Sequence, residues 1–193
     1  MSTNRALLED DYNGITPRSM RLFVATDLPQ ATTAVLQTLQ PEAGKYIRLV
    51  KPERMHLTLN FVGDADAERV ADALQAVKSS SIRLSLDRVG VFESSAGQVL
   101  WVGVRENSRL EDLQKKITDS LRRAHIPSDT RPFLPHITLA RCRVQADPAV
   151  ASYFLKQAVS ANLHFTLNQF HLFNSAVKSA QPTYEVCATF PLA

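Results

Sequence analysis

The stretch "RPFLPHITLAR" (Arg131–Arg141) follows a proline with strictly alternating polar and apolar side chains. Alternation of period two marks a half-buried strand. On such a strand His136 and Thr138 share one face, while Ile137 and Leu139 share the other. Upstream, "KPERMHLTLNFVG" (residues 51–63) repeats the arrangement with His56 and Thr58.

The surroundings of the two segments also repeat. "RLFVAT" (21–26) reads as a strand, followed by a helix with Pro29 in its first turn, running to about Gln40. "VLWVGV" (99–104) likewise precedes a helix that starts at Ser108 with Glu111 three residues on, a capping box. Leu110, Leu113, Ile117 and Leu121 form its apolar face. Arg21 to His56 is 35 residues and Val99 to His136 is 37. Beyond the histidines, Asp66 is placed to cap a helix through about Lys78 that carries Val70, Leu74 and Val77. Asp147–Pro148 opens an equivalent helix carrying Val150, Phe154 and Val159. Each is followed by a strand, 83–94 and 164–175, and "YEVCATF" supplies the last one. The pattern predicts an internal duplication, with two similar lobes facing one another across a central cleft. Residues 1–19 read as a polar extension. Residues 20–193 read as a single bilobal domain, with repeat units at about 21–94 and 99–175 and a final strand at 183–190.

The duplicated frame sorts the five histidines. A third His-x-Thr occurs at His164 and Thr166, but His164 aligns with Arg83 on a later strand, so the match is read as accidental. His125, at a helix C-terminus, and His171, aligned with Gly90, have no counterpart and are expected to be structural or solvated. Cys142 and Cys187 match no metal or redox spacing and are expected to be buried free thiols. A chain of 193 residues with net charge +3 permits an anionic partner without requiring one. No apolar run approaches the ~20 residues of a membrane helix, and no h-region suggests a signal peptide.

Two histidines and two hydroxyls meeting in a cleft suit proton transfer at an anionic centre. One neutral imidazole removes a proton, a protonated one supplies another, and hydroxyls donate to the anion. Neither motif holds a carboxylate or thiolate, as a metal site usually requires. Phosphodiester cleavage fits that inventory best.

These residues resemble the paired His-x-Thr motifs of the two-histidine phosphoesterases. The Phe and Gly after the first motif and the Arg-Pro-Phe before the second are most similar to bacterial and archaeal RNA 2′,3′-cyclic phosphodiesterases, first described as 2′-5′ RNA ligases. The resemblance covers about residues 20–191. It implies a bilobal α+β fold, two antiparallel sheets facing across a central cleft with helices on the outer faces. It also implies metal-independent opening of RNA 2′,3′-cyclic phosphates to 2′-phosphomonoesters, a chemistry that leaves 2′-5′ RNA ligation open as a second activity. By position, His56 matches the proton donor, His136 the proton acceptor, and Thr58 and Thr138 the phosphate-binding hydroxyls. Phe61 and Arg141 match positions flanking the nucleobase, although strict alternation turns both away from the histidines, so a bend or bulge is needed. Arg131 is left between phosphate contact and support of the second motif. Basic residues around that motif (Arg122, Arg123, Arg131, Arg141, Arg143) suit an RNA backbone or a solvated surface alike. The expected partner is RNA with a cyclic phosphate end, or a cyclic nucleotide. A cytoplasmic monomer with no cofactor, no metal and no membrane contact is expected. The alternatives are cleavage of 2′-5′ linked oligonucleotides and a non-catalytic module that binds RNA ends.

Overall fold

The computed structural model describes residues 20–160, 162–176 and 183–193; the extension read at 1–19 lies outside them. β1 (Met20–Asp27) buries Leu22, Phe23, Val24 and Ala25 in succession, as a strand covered on both faces does. α1 (Gln30–Thr38) begins after Pro29, which has no N–H to leave unsatisfied. β2 (Ile47–Leu49) and a 3-10 turn (Pro52–Arg54) lead into β3 (His56–Ala65). α2 (Ala67–Gln75) is capped by Asp66, whose carboxylate accepts from the Arg69 N–H at 2.8 Å. Then come β4 (Ile82–Ser94), β5 (Gly97–Val104) and α3 (Ser108–Arg123). β6 (His136–Arg143), α4 (Pro148–Phe154), β7 (His164–Leu167), β8 (Gln169–Ala176) and β9 (Thr183–Pro191) complete the chain.

The class is α+β, and all the paired strands are antiparallel. They follow one path, β7-β4-β5-β6-β3-β1-β8-β9, with β2 added on β6. β3 and β6 are paired at a single position, Leu57 with Ile137. Two groups of four strands therefore meet at a seam one residue pair long. α2 and α3 pack together behind β9 and β3, and α4 lies behind β4 and β5. Gln40, just past α1, ties that end to the β6 side by donating to the Val50 and Leu139 carbonyls. The apolar face of α3 (Leu110, Leu113, Ile117, Leu121) is buried with Leu57 and Leu59 in one core. Among the described residues no helix is long and apolar enough to cross a membrane.

Several expectations need correction. The cap of α3 is Asn107, one residue before Ser108; its side chain accepts from the Leu110 N–H at 3.1 Å. Asn and Ser cap comparably, so adjacent candidates compete and sequence alone chose wrongly. α2 ends at Gln75 and α4 at Phe154. Val77 is still buried just past α2 and Val159 packs against the core past α4, both outside their helices. The segment 164–175 is two strands, because the chain leaves β4 at Leu167, then pairs with β9 from Gln169 and with β1 from His171 onward. Cys142 is buried but Cys187 is exposed, since β9 is an end strand of the sheet.

Candidate active site

His56 and His136 begin β3 and β6, the two strands that meet at the seam. Leu57 and Ile137, the paired residues, are fully buried, so the residues on either side of each turn to the opposite face. That face is a cleft of about 580 Å³. His56, Thr58, His136 and Thr138 all line it, as the alternation requires.

Phe61 and Arg141 line it as well, and the reason is a matched pair of bulges. Opposite β1, Thr58 pairs with Ala25 and Asn60 with Val24, so Leu59 is an extra residue. Opposite β5, Thr138 pairs with Trp101 and Ala140 with Leu100, so Leu139 is extra. Each bulge places two consecutive residues inward, Leu59–Asn60 and Leu139–Ala140, all buried. The next side chain then returns to the cleft face. Phe61 emerges there 47% exposed. Asn60, turned toward α3, donates from Nδ2 to the Thr118 hydroxyl at 2.9 Å.

Both imidazoles are held alike. Nδ1 of His56 lies 2.8 Å from the Arg54 carbonyl, and Nδ1 of His136 lies 2.7 Å from the Leu134 carbonyl. A carbonyl can only accept, so Nδ1 carries hydrogen in each ring and Nε2 is left for the cleft. Each ring also meets an aromatic ring almost at right angles. Tyr184 stands 5.2 Å from His56 at 86°, and Phe92 stands 4.8 Å from His136 at 85°. Phe23 packs beside His56 at 5.2 Å, and Trp101 beside His136 at 6.0 Å.

Burial in these aromatic surroundings lowers the His56 pKa from 6.5 to about 4, against the opposing hydrogen bond to the Arg54 carbonyl. The charges of His136, Arg141 and Arg54 push the same way as burial. His136 is also lowered, by burial first and then by Arg141, with its Leu134 hydrogen bond opposing. In the empty cleft both rings are neutral at pH 7, and an approaching anion favours protonation.

Arg131 lines the cleft from the loop before β6. It is held by Asp129, whose carboxylate accepts from Arg131 Nε at 2.9 Å and from Nη2 at 2.6 Å. Of the basic residues grouped around the second motif, Arg131 and Arg141 reach the cleft, whereas Arg122 pairs with Asp119 at 2.9 Å. Arg21, Arg48 and Arg54 line the cleft too, and no Asp or Glu is among its described lining residues. Arg48 sits directly across from Arg141 in the β2–β6 pairing. None of these three, nor Tyr184, was singled out in the sequence. Arg54 was findable, because it stands two residues before His56 as Leu134 stands two before His136. Tyr184 has no local signal, since only the β8–β9 pairing carries it to the site.

The other histidines lie elsewhere. His164 Nε2 is 2.7 Å from an Arg83 guanidinium nitrogen, away from the cleft lining. His125 has φ 54, the left-handed conformation that ends a helix. His171 is buried between the Thr189 hydroxyl at 2.9 Å and the Asp27 carboxylate at 3.2 Å. Among the described residues no group of three or more His, Cys, Asp or Glu side chains is gathered to hold a metal ion.

The seam thus brings together two imidazoles with Nε2 left for one arginine-rich cleft, each with a threonine lining the same cleft. The chain belongs to the 2′-5′ RNA ligase superfamily, whose family model matches residues 27–178. The chain is 31% identical over 173 residues to the RNA 2′,3′-cyclic phosphodiesterase of Escherichia coli, covering 85% of this chain and 92% of that protein. It is 29% identical over 179 residues to a protein of the same name from Geobacillus stearothermophilus. There the match takes in 88% of this chain but 56% of the relative's length. Among solved structures, Escherichia coli LigT complexed with 3′-AMP superposes with a TM-score of 0.77 at 25% identity, over 91% of this chain and 99% of that one.

Proposed function

We propose that this protein hydrolyses the 2′,3′-cyclic phosphate at RNA ends to a 2′-phosphomonoester without a metal ion. The observation that carries the reading is the pair of histidines tied at Nδ1 to a backbone carbonyl two residues earlier, with Nε2 left for one cleft. His136 accepts a proton from water, whose oxygen attacks phosphorus. The bond from phosphorus to the 3′-oxygen breaks, and His56 gives that oxygen its proton. His56 ends neutral and His136 protonated, and exchange with solvent resets both. Thr58 and Thr138 donate to the phosphate oxygens, where hydroxyls placed in advance stabilise developing charge. Phe61 and Arg141 stand where the matched bulges let them flank a nucleobase. Arg131, already oriented by Asp129, is assigned to the phosphate side. The same ring opening with a 5′-hydroxyl in place of water forms a 2′-5′ phosphodiester, the ligation for which the superfamily is called.

The same reading takes the two groups of strands as two facing lobes descended from one duplicated unit, 21–94 and 99–175, within a domain spanning 20–193. The strand order supports it, because β6, β5 and β4 follow one another outward from the seam as β3, β1 and β8 do.

Offering an RNA oligonucleotide with a 2′,3′-cyclic end in saturating EDTA tests the proposal. Turnover is expected to persist, to leave phosphate on the 2′-oxygen, and to fall roughly 10²–10⁴-fold in His56→Ala and in His136→Ala. Loss in EDTA restored by a divalent ion rejects the metal-free reaction. Phosphate on the 3′-oxygen rejects His56 as the donor. RNA-end binding with no ring opening leaves a binding module instead.

A further inference from the structure

Tyr184 reaches the cleft from β9, an end strand of the sheet. Its ring meets His56 at 5.2 Å and 86°, and meets Phe23 at 5.1 Å and 73°. The Arg54 guanidinium carbon lies over the Tyr184 ring, 5.0 Å from its centroid. The carbonyl of the same Arg54 holds His56 Nδ1. One residue therefore holds the imidazole directly and also covers its aromatic neighbour.

We propose that Tyr184, covered by Arg54, is a positioning residue for His56: its ring sets the plane of the imidazole and keeps water from one side, so that Nε2 stays aimed at the substrate phosphate. The proposal rests on His56 being the proton donor. The second half of the sheet supports it independently. Phe92 meets His136 at 4.8 Å and 85°, almost the geometry of Tyr184, but from a different strand and without a hydroxyl. What the two sites share is a perpendicular ring. An edge-to-face pair is favourable beyond the area it buries, which biases a ring already tied at one nitrogen.

The dry contact has a chemical consequence. Burial is the largest influence lowering the pKa of His56, and a proton brought onto the ring by an anionic substrate leaves readily for the 3′-oxygen. The charges facing His56 from other elements are His136 and Arg141 on β6 and Arg54 beside it, all opposing the proton. Asp27 is its neighbour across β1, but that carboxylate lies 3.2 Å from His171 Nε2. Removing the Tyr184 ring admits water, and water raises the proton affinity of His56.

The test is an NMR titration of the histidine ring protons in the full chain, with steady-state kinetics on an RNA 2′,3′-cyclic end, for wild type, Tyr184→Phe and Tyr184→Ala. Tyr184→Phe is expected to leave the His56 midpoint and kcat close to wild type. Tyr184→Ala is expected to raise the His56 midpoint by roughly one pH unit or more, leave that of His136 in place, and lower kcat about tenfold with a smaller change in KM. An unmoved His56 midpoint in Tyr184→Ala overturns the proposal. So does equal damage in Tyr184→Phe, which would transfer the role to the hydroxyl. If Tyr184→Ala does not fold, Tyr184→Leu, apolar without an aromatic ring, is expected to shift His56 in the same direction, and no shift there overturns the proposal equally. A wild type that never opens the cyclic phosphate rejects the catalytic reading, while the titration still decides the position of Tyr184.

Discussion

His56 and His136 are tied by the same hydrogen bond yet sit among different aromatic neighbours, and the difference is one of protonation. Burial beside Phe23 and Tyr184 lowers His56 to about 4, and burial beside Trp101 and Phe92, with the Arg141 charge, lowers His136 from 6.5. With both rings lowered, one protonated imidazole beside one neutral imidazole is the minority arrangement in the free protein at pH 7. The profile of kcat/KM against pH is expected to be a bell with limbs near 4 and below 6.5, therefore peaking on the acid side of neutrality. Its limbs belong to the coupled pair, not to either ring. Stability follows the same groups with a definite sign. The unfolded chain takes up a proton at His56 near 6.5 and the folded one only near 4. Between those values the unfolded state binds more protons, so stability falls as pH falls through that window and levels off below it. The full shift corresponds to at most about 3 kcal/mol. Urea midpoints at pH 7 and pH 4.5 should drop less in His56→Gln than in wild type; an identical drop would show that His56 carries none of it.

At the scale of elements, the two strands β3 and β6 carry the site, and their bulges carry its outer residues. Alternation alone put His56, Thr58, His136 and Thr138 on one face, because a side chain's direction on a strand is a local property. Phe61 and Arg141 escaped that argument, because a bulge is set by the strand opposite, and β1 and β5 are distant in sequence. Tyr184 was illegible for the same reason. The order of strands and helices was readable because spacing, caps and apolar faces recur along the sequence. The cap at Asn107 was misread because local signals one residue apart are nearly equal. β4 shows how tightly one such strand pair is fitted. Gly90 faces Trp101 across the β4–β5 pairing, and a Cβ on Gly90 would stand 2.1 Å from the indole ring. The indole cannot shift without disturbing Phe92, 4.9 Å away, and His136. Gly90→Ala is therefore expected to destabilise by about 1–3 kcal/mol, the usual cost of overpacking, and to lower kcat through His136. Trp101 is the single tryptophan, so its fluorescence in a urea titration measures the effect at the site itself. An unchanged midpoint and spectrum would mean that the indole has room to move.

For the whole molecule, strands from the first half of the chain pair with strands from the second half on both sides of the seam. β4 pairs with β5 on one side, and β8 pairs with β1 on the other. Each group of strands is thus assembled from both parts of the sequence. The division of the polypeptide and the division of the molecule do not coincide. Cutting the chain once in the β4–β5 turn, between Ser95 and Ala96, leaves fragments 1–95 and 96–193 entwined along five pairings, β1–β8, β2–β6, β3–β6, β4–β5 and β4–β7. Separated, the first fragment has a β1 without β8 and a β4 without β5, each an open edge with its hydrogen bonds unmet. Each fragment alone is expected to be unfolded or aggregated by circular dichroism, and the two together to rebuild the sheet and recover the fold. Independent folding of either one would contradict this. The exchange works as a clasp: a break in the covalent chain need not be a break in the protein, and the two pieces could be made as separate polypeptides that find each other.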